Sequence, residues 1–105
     1  MAMMQAGTMA IEVDEDGFMQ APELWSEEVA AALAATESVP VLTEEHWKVV
    51  RYLRDYFLKN GVAPMVRRLC KETGVDNRRM YDLFPSGPAK GACKIAGLNK
   101  PTGCV

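Results

Sequence analysis

Residues Thr43–Gly61, TEEHWKVVRYLRDYFLKNG, decide the fold. Thr43 has a side chain suited to a helix N-cap, and Glu44 and Glu45 set negative charge against the positive end of the helix dipole. Trp47, Val50, Leu53, Phe57 and Leu58 then recur at helical spacing, and Asn60-Gly61 supplies a stop. The stretch reads as a long amphipathic helix and the spine of a core, with Trp47 and Tyr56 as core aromatics. His46, in the first turn, reads as a half-exposed surface or packing residue.

Other elements fall on either side of this spine. Upstream, the first 20 residues alternate weakly, with turn signals at Ala6-Gly7 and Asp14–Gly17, and predict two or three short strands forming a hairpin. Pro22 breaks the chain, Ser26 caps a helix begun by Glu27 and Glu28, and Val39-Pro40 ends it after about Thr36. Downstream, Pro64 suits the first position of a third helix with Val66, Leu69 and Cys70 inward and Gly74 as its stop. Asp76 or Asn77 caps a fourth helix carrying Met80, Leu83 and Phe84, closed by Pro85. Gly87-Pro88 opens a fifth that reaches Ala96 and stops at Gly97. The expectation is a mostly α protein: a small helical bundle with a short N-terminal β-hairpin, one domain over 1–97, and a flexible C-terminal arm over 98–105.

A chain of 105 residues supports one modest core, and 49% hydrophobic with 25% charged residues is the balance of a globular protein, not a disordered one. No apolar run approaches the roughly 18 residues of a membrane span. MAMMQAGTMAIEVDEDGF lacks the basic and apolar regions of a signal peptide, so a cytoplasmic protein with reduced cysteines is expected. The net charge of −2 conceals a division: residues 1–47 hold ten carboxylates and no Lys or Arg, whereas residues 48–105 hold all twelve cations against four carboxylates. Either the basic half docks on an acidic or anion-handling partner or the two halves face each other within the molecule. Arg67, Arg68, Lys90, Lys94 and Lys100 are candidates for guiding docking, with plain solvated charge as the alternative for each.

Helix three, the turn Thr73–Asp76 and helix four resemble a helix-turn-helix, and Arg67, Arg68, Lys71, Arg78 and Arg79 make that unit basic. A nucleic-acid-binding regulator is therefore one available reading, and ordinary helix packing is the other. With His46 the lone histidine and the cysteines spaced by 23 and 11 residues, no metal-ligand pattern is present. Cys70 reads as a packing residue on the inner stripe of helix three. Cys93 sits on a short helix, while Cys104 follows Pro101 and Gly103 on the arm. Seven residues from Gly97 allow Cys104 a reach of about 24 Å at roughly 3.4 Å per residue. Folded back, the same arm closes an easy loop, so one placed and one mobile thiol suit a carrier with a resolving partner. Spacing alone equally allows Cys93 to be a packed helix residue and Cys104 incidental.

The ending LFPSGPAKGACKIAGLNKPTGCV, with VDEDGF, WSEEVA, LTEEHWKVVRYLRDYF and GVAPMVRRL, resembles the DsrC/TusE sulfur-carrier family over nearly the whole chain, and within it the gamma subunits of dissimilatory sulfite reductase. The resemblance implies that Cys104 is the sulfur-handling residue and that Cys93 marks the sulfite-reductase branch, since tRNA-thiolation relay members typically keep only the penultimate cysteine. It further implies insertion of the arm into the reductase α and β subunits, where siroheme and iron–sulfur clusters reside, this chain itself binding no cofactor. A trisulfide between Cys104 and Cys93 would follow, opened by a membrane-bound reductase complex, with sulfurtransferases as other partners and a monomer as the free state. Two departures from the family pattern are Asn99 in place of a usual proline and a short KETGVDNRR segment, the latter favouring the reductive direction. Cys104 also lies beside the Val105 carboxylate, a charge that opposes thiolate formation.

Overall fold

The computed structural model describes residues 2–99. Two strands, β1 (Ala2–Ala6) and β2 (Met9–Val13), pair antiparallel from Ala6↔Met9 to Ala2↔Val13 around the turn at Gly7-Thr8. The alternation of β2 puts Ile11 and Val13 inward and Ala10 and Glu12 outward, so the hairpin contributes one apolar face. The third expected strand is a single bridge, Val13↔Met19, because the chain turns at once. Asp14 Oδ1 accepts from the N–H groups of Asp16 and Phe18 at 2.9 and 2.8 Å, swinging Phe18 and Met19 into the core.

A 3₁₀ turn at Pro22–Leu24 leads to α1 (Glu27–Thr36), whose N-cap Ser26 Oγ accepts from Val29 N–H. The spine is α2 (Glu44–Asn60), closed at Gly61, and α3 (Val66–Thr73) and α4 (Asn77–Leu83) form the expected helix pair around Gly74. Asp76 caps α4 through Arg79 N–H at 2.8 Å. A π-helical turn over Pro88–Ala92 runs into α5 (Cys93–Ile95), so the fifth helix is wound wide in its first turn where a regular helix was expected. α3 starts two residues after Pro64, with Met65 at its N-cap position, where Pro64 itself had been expected to open it.

The buried stripe of α2 differs in phase from the expected one. His46, Val49, Val50 and Leu53 are buried, Trp47 and Phe57 pack half-buried against the core, and Leu58 is 70% exposed. Leu58 lies five residues past Leu53, about 140° around the helix, and so points away. Tyr56 is half-buried beneath the Arg68 guanidinium, 5.7 Å from its ring centroid, and is not a core aromatic. His46 is buried because its ring is fully partnered. Thr43 N–H donates to Nδ1 at 3.0 Å, which leaves the proton on Nε2 to donate to Leu83 O at 2.8 Å. The ring also meets Phe84 edge-on at 5.2 Å. This one side chain caps α2 and ties it to the end of α4.

Replacing His46 by Ala leaves both the Thr43 N–H and the Leu83 carbonyl without partners and removes the aromatic contact, an expected loss of about 2–4 kcal/mol. Urea denaturation of the two proteins measures it. A change below the usual surface range of about 0.5 kcal/mol would show that the ring is not a tie between the helices.

Candidate functional site

Cys93 opens α5 and is 3% exposed within the hydrophobic core. It is placed there by the way the helix ends. Leu98 N–H donates to Cys93 O at 3.1 Å and Gly97 N–H to Lys94 O at 3.0 Å, the paired bonds of a Schellman closure. Gly97 has φ +73°, which favours glycine, and a Cβ there would run into Trp25 Cδ1. Leu98, expected as the first residue of the arm, is 1% exposed and belongs to the core. Packing thus continues one residue past the glycine and ties the chain back to the Cys93 backbone.

The next two carbonyls are held from outside the helix. Trp25 Nε1 donates to Ile95 O at 2.9 Å, and Arg54 donates through one nitrogen to Ala96 O at 2.8 Å and through the other to Pro22 O at 3.1 Å. The same guanidinium lies 4.3 Å from the centroid of the Trp25 ring. Burial holds Arg54 below the usual guanidinium value, with Asp55 opposing the shift. Neither Trp25 nor Arg54 was singled out from the sequence as functional. The signal was present: Arg54 falls four residues after Val50 and seven after Trp47, inside an apolar stripe where a charge needs a partner.

On its other flank α5 is pinned by Lys94, whose Nζ donates to Glu37 Oε2 at 2.8 Å with both side chains nearly closed off from solvent. Glu37 is the C-cap residue of α1, and Lys94 reaches it by passing over Gly17, where a Cβ would stand 2.6 Å from Lys94 Cε. Burial by itself raises the Glu37 pKa; the Lys94 hydrogen bond, the Ser86 hydroxyl and the Lys94 charge outweigh it and hold the carboxyl below its ordinary value. Oε1 has no donor in hydrogen-bonding geometry, so Ser86 acts as a nearby dipole and Lys94 carries the pairing.

Of the two expected site residues, Cys93 is thus on a clamped helix, and Cys104 lies outside the described residues. Cys70, half-buried on α3, has its thiol pKa raised by burial and by the Asp76 charge, as befits a packing residue. No group of three or more potential metal ligands occurs among the described residues.

The model of the DsrC-like protein family matches residues 5–105. The chain belongs to the DsrC family. It is 50% identical over 96 residues to the gamma subunit of the dissimilatory-type sulfite reductase of Nitratidesulfovibrio vulgaris, covering 91% of each chain. The sulfurtransferase TusE of Escherichia coli (strain K12) is 42% identical over 102 residues, 90% of this chain and 93% of that one. The crystal structure of the oxidized gamma subunit of the dissimilatory sulfite reductase (DsrC) from Archaeoglobus fulgidus superposes with a TM-score of 0.87 at 52% identity, covering 99% of this chain and all of that one.

Arg54→Met strips the Ala96 carbonyl of its donor and leaves Pro22 O with the Trp25 N–H alone, so the Leu98 and Gly97 amides are expected to exchange hydrogen at least about tenfold faster, with an overall loss of about 2 kcal/mol. Arg51→Met is the control, because its pair with Glu27 at 3.5 Å is exposed and worth under about 1 kcal/mol. Equal protection in both variants would remove Arg54 from the clamp. A pH series tests the other flank. With the folded pKa of Glu37 depressed, its stabilising effect is complete above the unfolded value and disappears as pH falls through the folded one. Glu37→Gln should therefore show a flatter loss of stability in that acid range than the native protein, as followed by denaturation at stepped pH.

Proposed function

We propose that the protein is a sulfur carrier and co-substrate of dissimilatory sulfite reductase, acting in the cytoplasm and not itself an enzyme. Cys104 accepts sulfur inside the reductase, whose α and β subunits hold the siroheme and iron–sulfur clusters, and Cys93 resolves the product as a trisulfide. The observation that carries the reading is the clamped burial of Cys93 at the root of the segment leading to Cys104, in a chain half identical to a gamma subunit. A thiol in a fixed position and a second on a tether make the closing step intramolecular. Sulfite, two thiols, two electrons and four protons give the trisulfide and three waters. Opening it takes four electrons and four protons and returns both thiols with hydrogen sulfide, the task of a membrane-bound reductase complex. No described helix is long and apolar enough to cross a membrane, which fits a partner that visits such a complex.

The similarity to TusE supports a second reading, a relay in tRNA thiolation with sulfurtransferases as partners. That role needs Cys104 alone. The two separate by mass after the reduced protein meets an αβ sulfite reductase, sulfite and an electron donor. The carrier gains one sulfur and loses two hydrogens across Cys93 and Cys104; Cys93→Ala retains the sulfur on Cys104 without closing, and Cys104→Ala stays unmodified. An unmodified native protein beside an active reductase transfers the weight to the relay.

A further inference from the structure

Each ion pair among the described residues joins a carboxylate of the first 47 residues to a cation of the rest: Glu27–Arg51, Glu45–Arg79 and Glu37–Lys94. Arg67, Arg68 and Lys71 on α3 are exposed and have no such pair among the described residues. They line a groove of about 650 Å³ between α2 and α3, whose apolar lining is Tyr56, Met65 and Val66 and whose one carboxylate is Glu72. Met65 is 69% exposed, and Val62 and Leu58, close by in the chain, are 61% and 70% exposed. Large apolar side chains so exposed beside arginines without an ion pair do not serve the core, and Arg68 rests over the Tyr56 ring. None of these residues belongs to the clamp around α5.

We propose that this groove docks an acidic segment of a partner protein that carries one bulky apolar side chain. The apolar group seats on Met65, Val66 and Tyr56, while flanking carboxylates pair with Arg67, Arg68 and Lys71. Tyrosine, methionine and arginine are the side chains enriched at protein interfaces. A nucleic-acid face is disfavoured at the same place. In the second helix of the pair, Arg79 is committed to Glu45, and Asp76 and Asp82 add negative charge, so the track of free cations that a phosphate backbone requires is interrupted. The docking does not depend on what meets Cys104.

The test titrates the full-length, ¹⁵N-labelled protein at low salt with a synthetic nine-residue peptide, acetylated and amidated, of glutamates around one central phenylalanine. Two companion titrations use the same peptide with central serine and a twelve-base-pair DNA duplex. The expected result is amide shifts centred on Tyr56 and residues 65–72, with binding about tenfold weaker for the serine peptide and for Met65→Ser or the double variant Arg67→Gln/Arg68→Gln. These substitutions lie on the surface, and unchanged spectra elsewhere verify the fold. Equal binding of both peptides, shifts centred on other lysines, or a duplex that shifts the same amides at lower concentration than the phenylalanine peptide would each overturn the proposal.

Discussion

The guanidinium of Arg54 bonded to Ala96 O is the contact on which the position of Cys93 depends. A helix end leaves four carbonyls without intrahelical donors. Here all four are met, Cys93 O and Lys94 O by the Schellman closure, Ile95 O by Trp25 and Ala96 O by Arg54. With three residues of regular helix, α5 is far too short to persist by its own propensity. Burying a guanidinium costs desolvation, which is offset by two carbonyl bonds, the Trp25 ring and the negative end of the helix dipole. The local geometry of residue 93 is thus set by residues 25 and 54, from two other parts of the chain.

The division of charge along the chain has a matching logic. Among the described residues, ion pairs join the acidic half to the basic half at three points of unequal value. The Glu27–Arg51 pair is exposed and screened, so it adds little. The Glu37–Lys94 pair is nearly closed from water and joins the end of α1 to the helix of Cys93, where losing one partner would strand a buried charge. Internal complementarity therefore accounts for part of the segregation, and Arg67, Arg68 and Lys71 on α3 are among the cations that make no ion pair within the described residues.

The helices were legible because their periodicity, caps and stops agree: Ser26, Asp76, Gly61, Gly74 and Gly97 all stand where the sequence places them. What escaped was whatever depends on partners distant in the chain. His46 looked half-exposed because a polar ring is buried only when both nitrogens are met, and Leu83 O lies 37 residues away. The same oversight shifted the expected stripe of α2 toward Leu58. Leu98 looked like the start of an arm since nothing local distinguishes a Schellman hydrophobe from a loop leucine. Of the candidate site, Cys93 and its helix could be read from the sequence, but the 42-residue separation between Arg54 and Ala96 hid the clamp.

Anchoring Leu98 also bears on selectivity in the proposed carrier. Six residues separate it from Cys104, a span of at most about 20 Å at the extended rise per residue, and the loop back to Cys93 holds eleven. Loop closure at that length is entropically mild, so the encounter of the two sulfurs is governed by where the fixed end stands. At 3% exposure, Cys93 offers almost nothing to a bulky external electrophile. In the proposed carrier, a sulfur atom on Cys104 would arrive on a tether, so its encounter with Cys93 would be intramolecular. On that reading, burial that would disqualify Cys93 as a free-standing nucleophile would favour the tethered thiol over external ones, and the Arg54–Trp25 clamp holds the buried end in place.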